Sequence, residues 1–285
     1  MPNRAPLARP LGRAVRMLAG LVVVVTAACS YQPPRLASAP PVTTAAPAAG
    51  GSTAPAAGLG PTSTSAPGTS AAPATAAGWG VVDGAGTIVA TARSGLSGIA
   101  VFGSPGGSRV RTLENPSAEY GVNQVFVVTE RQPGWLKVML PVRPNGTTGW
   151  IRESDVTLAA HDYRIVVSLS GHRFALFRAG RLVLEAPAGI GRSDRPTPGG
   201  TYYTWVLLDP TQDIYGAYAY GLSGFSDVVT SFNGGPGRLG IHGTNDPSSI
   251  GRDVSSGCIR LSNETVTRLV RSIGLPLGVP VEVRA

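Results

Sequence analysis

The stretch Ile241-His242-Gly243-Thr244, followed a short loop later by Ser255-Ser256-Gly257-Cys258-Ile259-Arg260-Leu261, decides the reading of this chain. It brings one of only three histidines close in sequence to one of only two cysteines. A thiol becomes a useful nucleophile when a neighbouring imidazole takes its proton or positive charge favours the thiolate. Glycine beside each residue lets a substrate approach the backbone and lets amide N–H groups face a developing oxyanion. The pattern is that of a Cys/His acyl-transfer site. Cys258 is the candidate nucleophile and His242 the general base and acid. The amides of Gly257 and Cys258 are the candidate oxyanion donors.

Working outward, Arg164 to Leu169 and Arg173 to Phe177 read as a hairpin around Gly171-His172, and Arg181 to Ala186 as the next strand. Pro198 fixes a turn before Thr201-Tyr202-Tyr203. Thr211 to Gly237, rich in Gly, Tyr and Ser, reads as a loop. Its Ile214 to Gly221 part is either a lid over the site or an ordered surface loop, and Tyr220 within it is a candidate substrate contact. Val266, Leu269, Val270 and Ile273 predict a short amphipathic helix, capped by Ser262 or Asn263 and stopped at Gly274. Val279 to Val283 closes as a strand.

These motifs resemble the L,D-transpeptidase (YkuD-type) catalytic domain. The resemblance lies in the H-G-T element, the S-x-G-C-[IV]-R-[LM] element at Ser255 to Leu261, and a T-P-x-G-x-[FY] element at Thr197 to Tyr202. It covers essentially all of residues 162–285. It implies a mixed, mostly antiparallel β domain with a short helix near its C-terminal end. It also implies that the carbonyl of Gly243 orients His242. Ser256 stands where many members carry histidine; it and Arg260 are candidate substrate contacts, Arg260 either recognising a carboxylate or fixing the loop. The implied partners are peptidoglycan stem peptides. Cys258 would attack a donor tetrapeptide at the L-centre of diaminopimelate, expel D-Ala, and pass the acyl group to the side-chain amine of an acceptor stem. Carbapenem β-lactams are the implied inhibitors. Hydrolysis of the same thioester, an L,D-carboxypeptidase activity, and a catalytically retired wall-binding lipoprotein are the alternatives.

Before this domain, residues 79–161 read as short strands separated by Gly, Pro and Asn-Gly turns, among them Thr87 to Ala90, Ile99 to Phe102, Gln124 to Val128 and Trp135 to Leu140. Gly134 to Val138 with Gly149-Trp150-Ile151 resembles a bacterial SH3-like β-barrel, so the expected fold class is mainly β throughout. Trp135 and Trp150 are either packing residues or a ligand platform. Residues 29–78 are almost wholly Ala, Pro, Thr, Ser and Gly, and cannot bury enough apolar surface to offset chain entropy; they read as a disordered tether.

Residues 1–28 read as a signal peptide: Arg4, Arg9, Arg13 and Arg16, an apolar run from Met17 to Val25, then Thr26-Ala27-Ala28 before Cys29. Small residues directly before a cysteine resemble a lipoprotein box, which implies that Cys29 is lipidated and anchors an exported protein at the outer face of the cytoplasmic membrane and the cell wall. Ordinary signal cleavage and a Cys29–Cys258 disulfide remain the alternatives. The formal charge of +8 falls to +4 once those four arginines are set aside. The other cations are dispersed, so nucleic-acid binding is not expected. No zinc-ligand spacing, phosphate loop or dinucleotide fingerprint occurs, and no metal or cofactor is expected.

Overall fold

The computed structural model describes residues 35–36, 84, 86–209, 212–232 and 234–285. The signal-peptide reading of residues 1–28, Cys29 and nearly all of the tether lie outside the described residues. Arg35–Leu36, inside the segment read as a tether, forms a two-residue strand, β1.

Seven strands follow: β2 (Thr87–Ala92), β3 (Gly98–Phe102), β4 (Arg109–Glu114), β5 (Val125–Gln132), β6 (Trp135–Met139), β7 (Thr148–Arg152) and β8 (Val156–His161). They form one antiparallel sheet in the order β4-β3-β7-β6-β5-β2-β8. Alternation places Ile99, Val101, Phe126, Leu136, Val138 and Ile151 in its core. Trp150 is buried, and Trp135 packs edge-on against Phe102 with their ring centroids 5.0 Å apart. The extra strand β4 escapes sequence reading because it lies almost wholly exposed at the sheet edge.

The chain passes directly from β8 to β9 (Tyr163–Ser168). Then come β10 (Arg173–Arg178), β11 (Arg181–Pro187), β12 (Ile190–Gly191), β13 (Gly200–Asp209), β14 (Ala219–Phe225), β15 (Arg238–His242), β16 (Asp253–Ser255), β17 (Ile259–Arg260), helix α1 (Asn263–Thr267) and β18 (Pro280–Arg284). The second sheet runs β11-β10-β9-β18-β13-β14-β15-β17, with β1 on β13. It is antiparallel except at the β9–β18 and β15–β17 pairs. Beside it, β12 and β16 form a separate parallel pair. The fold is mainly β, as expected. Ser262 caps α1 by accepting from Thr265 N at 3.1 Å, a π-helical turn Arg268–Ile273 extends it, and Gly274 ends it in the left-handed conformation.

One expectation is corrected. The Gly- and Tyr-rich segment read as a loop contains β14, buried at every position. Its glycines serve close packing: a methyl on Gly224 would stand 2.2 Å from the Tyr202 ring, and one on Gly221 2.6 Å from Val206. The two sheets also share a core, in which Val89, Val125 and Val127 meet Trp205, Val206 and Leu208. Tyr203 donates to Val125 O at 2.9 Å and Trp205 Nε1 to Gln124 Oε1 at 3.2 Å across it.

Candidate active site

Parallel pairing of β15 with β17 brings the two motifs together. Ile241 faces Ile259 and His242 faces Arg260 in register, so Cys258 sits at the entry to β17, level with Gly240. A methyl on Gly240 would lie 3.9 Å from both Cys258 Sγ and His242 Cδ2. Thiol and imidazole therefore flank one glycine and line one cleft, together with Tyr215, Arg238, Ser256 and Arg260. Cys258 is a free thiol, partly open to that cleft.

His242 is 4% exposed, and its Nδ1 lies 2.5 Å from the Gly243 carbonyl. A carbonyl only accepts, so Nδ1 carries the proton and Nε2 keeps its lone pair. Burial pulls the imidazole down to about 4; the Gly243 carbonyl opposes this and the Arg260 charge adds to it. Burial also pushes the Cys258 thiol above its ordinary range, while the Gly240 amide and Arg260 pull it back. The resting pair is thus a neutral thiol beside a neutral base, and the proton has to move as the thiol attacks.

The cysteine loop is held from three sides. Ser255 Oγ donates to Cys258 O at 2.6 Å and accepts from Gly257 N at 3.1 Å. Thr197 Oγ1 donates to Gly257 O and accepts from Gly191 N, both at 2.9 Å. Arg195 Nη1 donates to Ser256 Oγ at 3.4 Å. Gly257 adopts φ +114, a conformation open to glycine. Arg260 has a buried Nε–H without a hydrogen-bond partner among the described residues, and its charge helps hold the Asp246 carboxyl low.

Two sequence-derived assignments are corrected. The Gly257 amide is engaged by the Ser255 hydroxyl and does not face the cleft as an oxyanion donor. Tyr220 is 1% exposed and donates to Leu275 O at 2.9 Å, so it is a core residue of β14 with no contact to substrate. The tyrosine at the site is Tyr215, whose ring stands edge-on to His242 with centroids 5.1 Å apart. Asn263 is not the helix cap. Its Oδ1 accepts from Ala217 N at 3.0 Å and Thr244 N at 3.1 Å, and its Nδ2 donates to Thr244 O at 3.0 Å, which fixes the loop that presents the Gly243 carbonyl. His172, in the turn between β9 and β10, pairs with Asp253 at 2.7 Å, away from the cleft.

The family model of the L,D-transpeptidase catalytic domain (YkuD) matches residues 162–283. A putative L,D-transpeptidase YkuD of Bacillus licheniformis is 36% identical over 121 residues, which is 42% of this chain and 65% of that protein. The chain thus spans just under two thirds of that relative's length. A putative L,D-transpeptidase YqjB of Bacillus subtilis is 34% identical over 125 residues, 42% of this chain and 70% of that protein. A solved L,D-transpeptidase from Mycobacterium smegmatis aligns with 69% of this chain and 99% of its own, at 15% identity and a TM-score of 0.38. From the sequence matches over the domain that carries His242 and Cys258, this chain belongs to the L,D-transpeptidase family.

Proposed function

We propose that the protein cross-links peptidoglycan stems through a thioester on Cys258. The observation that carries the reading is the buried imidazole of His242, its Nδ1 2.5 Å from the Gly243 carbonyl, in one cleft with Cys258. As Sγ attacks the carbonyl at the L-centre of diaminopimelate, His242 takes the thiol proton and then gives it to the departing D-Ala amine. The Cys258 amide stabilises the oxyanion without help from Gly257. The acceptor's side-chain amine then loses a proton to His242 and displaces the thiolate. Arg260, whose buried Nε–H has no hydrogen-bond partner among the described residues, takes a stem carboxylate. Carbapenems acylate the same sulfur.

The deciding experiment incubates the full chain with a defined disaccharide-tetrapeptide and reads the products by mass spectrometry. A dimer that has lost one D-Ala is expected. Tripeptide alone, with water as acceptor, would replace this reading with an L,D-carboxypeptidase; unchanged donor would remove both.

The same reading places the protein outside the cell, lipid-anchored at Cys29 at the outer face of the membrane. The first domain, read as SH3-like, is then part of the same exported module. Cys29→Ala is expected to shift the protein out of the membrane fraction, or to leave it unprocessed. Soluble, processed protein in both wild type and variant would rule the anchor out.

A further inference from the structure

One wall of the Cys258 cleft is the segment between β14 and β15, which contributes Ser226, Val229, Phe232 and Gly237. Val228 is 55% exposed and Phe232 40%, so neither anchors it by burial. Its internal bonds among the described residues include Ser226 N to Gly237 O at 2.9 Å, the Phe232–Gly235 pair, and Val228 N and Val229 N to Ser226 Oγ at 3.4 and 3.0 Å.

Further support comes from turns and loops of the first sheet. In the β6–β7 turn, Asn145 grips the backbone of Phe225 on both sides, with Oδ1 accepting from Phe225 N at 2.9 Å and Nδ2 donating to Phe225 O at 2.8 Å. Arg143 in the same turn donates to three carbonyls spread along the wall: Ser226 at 2.8 Å, Pro236 at 3.1 Å and Val229 at 3.4 Å. Its guanidinium also lies 4.8 Å over the Phe225 ring. At the far end of the wall, Glu119 receives Arg238 through Nε at 2.9 Å and Nη2 at 2.6 Å. The Arg238 carbonyl in turn faces Cys258 Sγ at 4.0 Å.

All three supporting residues lie outside the matched region 162–283. We propose that Arg143 and Asn145, with Glu119, are positioning residues for acyl transfer: the first sheet builds the substrate-facing wall of the cleft, and the catalytic domain alone does not complete its own site. A planar fork reaching three carbonyls and an amide matched to the N–H and C=O of one residue are devices that fix backbone position, which is what substrate alignment requires.

The test uses the full chain and compares Arg143→Ala, Asn145→Ala, the double variant and Arg143→Lys. Hydrogen–deuterium exchange over residues 225–238 is expected to rise in both alanine variants, while exchange in β9 and β10 stays unchanged. Alkylation by iodoacetamide, which needs only the thiol, is expected to stay within twofold of wild type. With a disaccharide-tetrapeptide donor, kcat/KM is expected to fall roughly tenfold per single variant, mainly through KM, with partial recovery in Arg143→Lys. Should Arg143→Ala fail to fold, Arg143→Lys and Asn145→Ala still decide the matter. Unchanged exchange over 225–238 in folded variants overturns the proposal, and so does a fall in iodoacetamide and donor rates by the same factor. The donor arm rests on the proposed function; if wild type does not use that donor, the function fails, while the exchange and alkylation arms still judge the wall.

Discussion

Cys258→Ala is expected to remove donor turnover, by at least about a thousandfold, with the fold intact. The sulfur is partly open to the cleft, and its polar contacts are a long one to the Arg238 carbonyl at 4.0 Å and the Gly240 amide. Deleting it leaves no large cavity and no orphaned strong donor, so the stability cost stays on the order of 1 kcal/mol or less. Cys258→Ser is expected to be almost as inactive. A hydroxyl is a far weaker acid than a thiol, and an imidazole pulled down to about 4 is a poor base for it. The measurement is product formation from the disaccharide-tetrapeptide beside intact mass after carbapenem treatment. Wild type gains one adduct at Cys258 and the alanine variant none. Turnover in Cys258→Ala above one tenth of wild type, or an adduct persisting in that variant, would sink the nucleophile assignment.

What the sequence disclosed and what it hid follow from the range of the contacts involved. His242 and Cys258 were legible because their chemistry is carried by residue type and flanking glycine, and the β15–β17 register then joins them. The strands β2, β3 and β6 were legible from alternation, and β5, β9 and β10 from continuous β-branched or apolar runs, which in β9 and β10 are buried on both faces. β14 was not. Its Gly221 and Gly224 look like loop punctuation until the Val206 and Tyr202 side chains are seen filling the space above them. That misreading also made Tyr220 a substrate contact in place of Tyr215, since only the burial of β14 tells one tyrosine from the other. Gly257 failed as an oxyanion donor through a bond two residues long, from its amide to Ser255 Oγ. Asn263 stood in a capping position but works across the fold on Ala217 and Thr244. Glu119, Arg143 and Asn145 act over 80 or more positions of chain, and no local pattern announces such contacts.

His242→Gln is expected to show two effects with one cause. The first is catalytic. An amide can keep a hydrogen bond to the Gly243 carbonyl but cannot accept the thiol proton, so kcat/KM is expected to fall about a hundredfold to ten-thousandfold. The second is thermodynamic. Burial holds the folded-state imidazole at about 4, below an ordinary value near 6.5. Between those two values the unfolded chain binds the proton and the folded chain does not, so stability rises with pH across that window. The contribution is complete above about pH 6.5 and lost as pH falls towards 4, up to about 3 kcal/mol in all. His161, also lowered by burial, acts in the same direction, and so do carboxylates held low by partners. The quantity to measure is therefore the difference between wild type and His242→Gln in urea unfolding free energy at pH 7.5, 5.5 and 4.5. That difference is expected to shrink steadily as the pH drops, because only the wild type carries a buried imidazole that acid must charge. A difference that stays constant with pH would mean that His242 is not held neutral in the fold, and the base mechanism would lose its footing with it.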